Sequence, residues 1–364
     1  MRRKGEYRVR ERRTRPPRGR RFAETPCSTA RSDDRRKTLQ VTPGWRRASA
    51  VSAICLALAA CAAPRPTSTQ PAPGPAPTTG RRVQFEIDYA VRVGRNTDRI
   101  VLTTLLPRTR PGRQFVHRVT ADPTPDRIWD EQNNRYAEFR FTRPRADFHV
   151  RIRCDLTIQR SDLRTARARQ LAPEEQPNLR RYLAQERFVE VDDFRIRNLA
   201  HQLAAESGSE TETVRRLHAG VLRELTVDNY RPQDVGARRT LDLGTGDCTD
   251  YMDLFVALCR ARGIPARGVE GYTLPFSSVP QHDWAEVWLA THGWTTFDPF
   301  RAEWNGEGFE RLENAYIWLS TVRNDRVLDG HHYYGYRFWG DPVRVTRSFR
   351  AVPRARPVLA PPHP

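Results

Sequence analysis

Cys248, His282 and Asp298 follow one another within two short passages of the 364-residue chain. These are Gly-Thr-Gly-Asp-Cys248-Thr-Asp and His282-Asp-Trp-Ala-Glu-Val-Trp, the latter followed by Trp294-Thr-Thr-Phe-Asp298-Pro. A thiol, an imidazole and a carboxylate are the parts of a cysteine acyl-transfer site: a nucleophile, a base, and a group that fixes the base's tautomer and supports its charge. Cys154 and Cys259 show the ordinary alternative, since each falls on the apolar side of its own element and reads as a small buried hydrophobe. Cys248 instead follows two glycines at the start of a helical pattern.

That pattern runs from Asp247 to Arg262, with Met252, Phe255, Val256 and Cys259 at i, i+3, i+4 and i+7, and Gly263 supplies the stop. The thiol therefore falls in the first helical turn, where unpaired N–H groups and the positive end of the macrodipole favour a thiolate. Gly244 and Gly246 are expected to let the backbone approach a substrate. Gly268 to Leu274 reads as a strand entered from this helix. A second strand starts at His282 and puts His282, Trp284, Glu286 and Trp288 on one face and Ala285, Val287 and Leu289 on the other. Thr291-His-Gly293 is the turn of a hairpin, and Trp294 to Asp298 returns so that Asp298 sits beside His282. Glu286 either supports the site or pairs with an arginine, and His292 reads as a solvated turn residue.

From about Leu241 to Phe300 the segment resembles the transglutaminase-like superfamily, whose core carries Cys at a helix start, His in a His-x-Trp-x-Glu strand and Asp before Pro. Arg260-Ala-Arg-Gly-Ile-Pro-Ala-Arg267 and Glu270-Gly-Tyr272 extend the likeness between the Cys and the His. The resemblance implies Cys248 as nucleophile, His282 as general base and then acid, and Asp298 as orienter. It also implies an α+β, papain-like core, a helix packed on an antiparallel sheet, with a β-region ahead of it. Papain-like proteases place a Gln shortly before the nucleophile as an oxyanion donor, and Thr240-Leu-Asp-Leu-Gly244 has none. The backbone N–H of Cys248 is then the assigned oxyanion donor, with the second open between Tyr230 and a nearby aromatic. Trp284 and Glu286 are the other supporting candidates.

The formal net charge of +19 is concentrated at the front. Residues 1–61 hold 17 Lys and Arg against 5 Asp and Glu, and residues 62–364 hold 45 against 38. A nucleic-acid partner is therefore not expected for the folded part. Ala48 to Ala60 is a run of small and apolar residues behind Arg46-Arg47, too short to cross a bilayer and suited to the h-region of a secretory signal. It ends in Leu58-Ala-Ala-Cys61, which resembles the bacterial lipobox and implies lipidation at Cys61; cleavage by ordinary signal peptidase or an uncleaved anchor are the alternatives. Residues 1–40 are too long and too charged for an n-region, so translation is expected to start near Val41; the alternative is a basic disordered arm.

Six parts follow: the basic segment 1–40, a lipoprotein-type signal over 41–61, a Pro-rich linker over 62–81, a small all-β domain over 82–160, a catalytic domain over 175–345 and a tail over 346–364. The β domain rests on period-two runs. Val83, Phe85, Ile87, Tyr89, Val91 and Val93 form one; Phe148, Val150, Ile152, Cys154, Leu156 and Ile158 form the other, with weaker strands at 100–106, 114–120 and 136–141 between them. Helical patterning is expected from about Asn178, with a capping box at Ser209-Glu-Thr-Glu212 ahead of Val214, Leu217, Val221, Leu222 and Leu225.

These readings converge on an extracytoplasmic, lipid-anchored bacterial enzyme acting through a thioester on a protein or peptide substrate. An amine acceptor would make it a transglutaminase, and water an amidase or peptidase. No cofactor is expected. Zinc finds no Cys-x-x-Cys pair, and the adjacent His331-His332 lacks partners at ligand spacing. The other class of reading is a catalytically idle envelope scaffold that binds peptides or glycans through its aromatics. Oligomeric state is left open.

Overall fold

The alternating runs form twisted antiparallel strands, and their apolar sides meet. In the computed structural model, which describes residues 80–166, 178–205, 207–276, 280–306 and 308–352, six strands come first. They are β1 (Arg81–Arg92), β2 (Thr97–Leu106), β3 (Gln114–Asp122), β4 (Arg127–Glu131), β5 (Asn134–Thr142) and β6 (Phe148–Ile158). Strand β4 was not anticipated from sequence; Trp129 is its one half-buried residue, so periodicity carries little signal there. It joins β5 through Gln132 and Asn133, both at positive φ, the conformation of a two-residue hairpin turn. The signal segment with Cys61, the basic segment and nearly all of the linker lie outside the described residues.

Helical structure begins later than its pattern suggests. Residues 178–193 hold only a 3₁₀ turn at Arg180–Tyr182. Helix α1 (Phe194–Leu203) then starts at Asp193, whose carboxylate accepts from Arg195 N. Helix α2 (Glu210–Glu224) is capped by Ser209, and it buries Val214, Leu217 and Val221. The short α3 (Ala237–Leu243) leads into α4 (Cys248–Ala261). Strands β7 (Ala266–Thr273), β8 (Gln281–Leu289) and β9 (Gly293–Phe297) follow, then α5 (Pro299–Asn305) and β10 (Tyr316–Ser320). Two further strands, β11 (Tyr334–Gly340) and β12 (Arg344–Ala351), close the fold.

Three four-stranded sheets result, ordered β12-β1-β6-β3, β11-β2-β5-β4 and β9-β8-β7-β10. The last is buried on both faces, and that explains the two-sided alternation of β8. Ala285, Val287 and Leu289 join Phe255, Leu258 and Phe297 in a core shared with α1, α2 and α4. Trp284, Val269, Tyr272 and Trp318 join Phe85, Ile87, Leu102 and Ile152 in a core shared with the β-region. The small all-β region thus precedes the catalytic core in sequence and packs against its sheet. One boundary needs correction: the expected tail from 346 includes most of β12, which pairs with β1 from Arg92↔Arg344 to Phe85↔Ala351 and puts Val345 into the core. In the same way β11, expected within the catalytic domain, completes the sheet of β2.

Candidate active site

Cys248 owes its position to the cap of α4. Asp247 accepts hydrogen bonds from Thr249 N at 3.0 Å and Asp250 N at 3.3 Å, and Asp250 accepts from Asp247 N at 3.2 Å, a reciprocal capping box. The cap serves Thr249 and Asp250 rather than Cys248. Gly244 ends α3 in the left-handed region at φ +64°, and a Cβ on Gly246 would lie 2.6 Å from Asp250 Cβ. Gly246 therefore makes room for the cap.

His282 is the second residue of β8 and is buried. Its Nε2 lies 2.6 Å from Asp298 Oδ2. Asp298 sits one residue beyond β9 as the N-cap of α5, with Pro299 at the first helical position. Its Oδ1 accepts from Arg301 N at 3.0 Å, and its Oδ2 also accepts from Tyr316 Oη at 2.7 Å. Burial alone would raise this fully buried carboxyl, but His282, Tyr316 and the Arg301 amide overcome that and leave its pKa lowered. With Nε2 committed to the carboxylate, Nδ1 is the imidazole's remaining proton acceptor. Behind the pair, His218 of α2 packs edge-on to Phe255 and Phe309, its ring centroid 5.5 and 5.3 Å from theirs. Burial lowers the His218 pKa to about 4, against the opposing pull of Asp298.

Around the sulfur the charges are unexpectedly negative. Half-buried Cys248 is pushed well above an ordinary thiol pKa, first by burial and then by the carboxylates of Asp283 and Asp247, with the Asp283 amide pulling the other way. Burial and these carboxylates oppose the thiolate that the helix terminus favours. Asp283, next to His282, is clamped by Thr249 Oγ1 at 2.6 Å and Tyr333 Oη at 3.3 Å, and burial raises its pKa to about 6. The clamp ties the first turn of α4 to β8. Beyond it His332 bridges Glu270 (Nδ1 to Oε1, 3.0 Å) and Asp234 (Nε2 to Oδ2, 3.0 Å). Arg323 binds Asp253 through two hydrogen bonds of 2.9 and 3.0 Å and also meets Asp234 at 3.1 Å, so the carboxylates hold the guanidinium charged.

The other sequence candidates divide. Tyr230 is 74% exposed, and its pKa is raised, first by burial and then by the charges of Asp247, Asp234, Asp283 and Cys248. Trp284 is fully buried and stacks on His282 at 5.9 Å and against Tyr316 and Trp318 at 5.1 Å, so it supports the imidazole by packing. Glu286 does not reach the site. Arg267 takes its Oε2 at 2.7 Å and Arg113 its Oε1 at 3.4 Å, the arginine pairing that the sequence left open. Cys154 and Cys259 are buried free thiols, and burial raises both. Tyr316, Asp283, Thr249, Tyr333, His218 and His332 were missed. Thr249 and Asp283 each neighbour a candidate catalytic residue and were findable on that ground; nothing local marks the others.

A helix with a cysteine in its first turn packs on an antiparallel sheet that carries a buried His–Asp pair, the arrangement of a papain-like core. Residues 197–299 match the model of the transglutaminase-like superfamily, so that segment carries a transglutaminase-like core. It is 32% identical over 78 residues to the uncharacterized protein YebA of Bacillus subtilis (strain 168), a match that covers 18% of this chain and 11% of that protein. The fold is similar to that of a proposed cysteine protease from Cytophaga hutchinsonii, with a TM-score of 0.55 at 17% identity over 77% of this chain and 93% of the other. The periplasmic domain of TgpA from Pseudomonas aeruginosa overlaps more loosely, with a TM-score of 0.33 at 16% identity over 61% of this chain and 88% of that domain.

Proposed function

We propose that the chain is a cysteine acyltransferase or hydrolase acting on carboxamide or peptide bonds of a protein or peptide. The observation that carries this reading is the 2.6 Å contact of His282 Nε2 with a fully buried Asp298 that Tyr316 also holds. Burying a carboxylate and satisfying it with three donors costs desolvation that a passive binding module has no need of. The reading therefore favours an enzyme over an idle scaffold.

In this mechanism Nδ1 of His282 takes the Cys248 proton as sulfur attacks the carbonyl carbon, which suits a thiol whose pKa is raised. The oxyanion is met by the Cys248 N–H, with Tyr230 as the second donor. Collapse breaks the C–N bond, the imidazolium hands its proton to the departing amine, and a thioester remains. An incoming amine or water then gives its proton to His282 and attacks the thioester; the C–S bond breaks and the sulfur regains a proton. Asp298 orients the ring throughout. The protein would work in the bacterial envelope, anchored through lipid at Cys61 and held off the membrane by the Pro-rich linker; no described helix is long and apolar enough to cross a membrane.

The test supplies a glutamine peptide with and without a primary amine and follows ammonia and adduct by mass spectrometry. Ammonia release that Cys248→Ala abolishes supports the reading. Adduct formation selects transfer, and its absence selects hydrolysis. A folded wild-type chain that forms no thioester with any glutamine or peptide substrate would return the scaffold reading.

A further inference from the structure

The outward face of the β11-β2-β5-β4 sheet carries a groove of about 280 Å³ lined by Arg99, Val101, Glu138, Arg140, Arg337 and Trp339. Register explains the grouping. Arg337, Val101 and Arg140 lie directly across from one another on three neighbouring strands, and Trp339 lies across from Arg99 two residues along. Val101 is the floor and the guanidinium groups form the walls. Arg99 lies 3.6 Å over the Trp339 ring, which orders it.

On the β12-β1-β6-β3 sheet three arginines meet carboxylates across the strands: Arg82 with Asp155 at 2.7 Å, Arg153 with Glu86 at 2.7 Å and Arg151 with Asp88 at 3.5 Å. Arg92 and Arg344 face each other at the open end of β1 and β12, with no carboxylate partner among the described residues and outside the groove. In the groove Glu138 takes Arg140 at 2.7 Å, and among the described residues Arg99 and Arg337 pair with no carboxylate. Two guanidiniums without carboxylate partners line one concave space, one of them resting over an indole, and such a pair suits a tetrahedral oxyanion. The space takes a single phosphoryl group and a small attached alcohol.

We propose that this groove binds a phosphate ester, at a site separate from Cys248. The ligand's source is either a soluble phosphate ester or the headgroup of an anionic lipid. The full-length chain would be titrated with inorganic phosphate and with glycerol 3-phosphate by calorimetry. Its flotation would be compared on phosphatidylcholine vesicles with and without phosphatidylglycerol, the difference removing any contribution of a lipid anchor. Three chains are compared: wild type, Arg99→Ala/Arg337→Ala, and a charge-matched control, Arg92→Ala/Arg344→Ala, on the opposite sheet.

The expected result is binding that weakens by about fivefold per groove arginine, with the control pair unaffected. Saturable glycerol 3-phosphate binding without vesicle preference assigns the soluble source, and vesicle preference alone assigns the headgroup. Equal weakening in both doubles, or a wild type with neither phosphate-ester binding nor vesicle preference, overturns the proposal. Thermal melts confirm that the variants fold, and unchanged acyl-transfer rates on a soluble peptide keep this outcome apart from that of the proposed catalysis.

Discussion

The Cys248 thiol answers to its neighbours as well as to its helix. Removing the Asp283 carboxylate removes a negative charge beside the sulfur, so Asp283→Asn should lower the Cys248 pKa. The pH profile of iodoacetamide labelling reads this directly, and its midpoint should move to lower pH; a midpoint that stays or rises contradicts the assignment. Tyr316→Phe takes one donor from Asp298 Oδ2. A hydrogen bond to a charged group contributes about 1.5–3 kcal/mol, so kcat/KM should fall by roughly ten- to a hundredfold while KM changes little. Asp298→Asn should cost roughly 10²- to 10⁴-fold in kcat, because an amide neither supports the imidazolium nor enforces its tautomer.

At the scale of elements, the motif that marks the nucleophile in sequence is largely a helix cap. Asp247→Ala should cost about 1 kcal/mol of stability and loosen the first turn that carries the sulfur. Gly246→Ala would force a methyl group against Asp250 and should be at least as harmful, as thermal melting of the two variants would show. The helix from Cys248, the hairpin through His282 and the placement of Asp298 near its end were legible because each depends on local pattern: a 3.6 period, a two-residue alternation and a turn. What was not legible depends on strands distant in sequence. Tyr316 reaches Asp298 only because β10 pairs with β7, and His332 finds Asp234 across 98 residues. The charges around the sulfur depend on packing in the same way. The helix terminus is visible in sequence, whereas Asp283 acquires its influence only when β8 packs beside α4.

Across the whole molecule, two acid-sensitive features pull stability in opposite directions. His218 has a pKa lowered to about 4 by burial, so its contribution is present above the unfolded value near 6.5 and is lost as pH falls through about 4. The stake is on the order of 3 kcal/mol, and His218→Leu should flatten the fall in Tm between pH 7 and pH 4. Asp283 and Asp250, both raised to about 6, act the other way: their contribution is present below about pH 4 and is lost as pH rises through 6. Truncation after Gly340 leaves every candidate site residue in place but strips β12 from β1 and removes Val343, Val345 and Phe349 from a core that also holds Trp284. The shortened chain should lose its cooperative melt and its Cys248 chemistry together.

The pairing of β1 with β12 has a mechanical consequence. Because the strands run antiparallel, the first and last described residues leave the fold side by side, with Val352 N donating to Gln84 O at 2.9 Å. Tension applied through both ends would load those rungs one at a time, as in a zipper, rather than all together in shear.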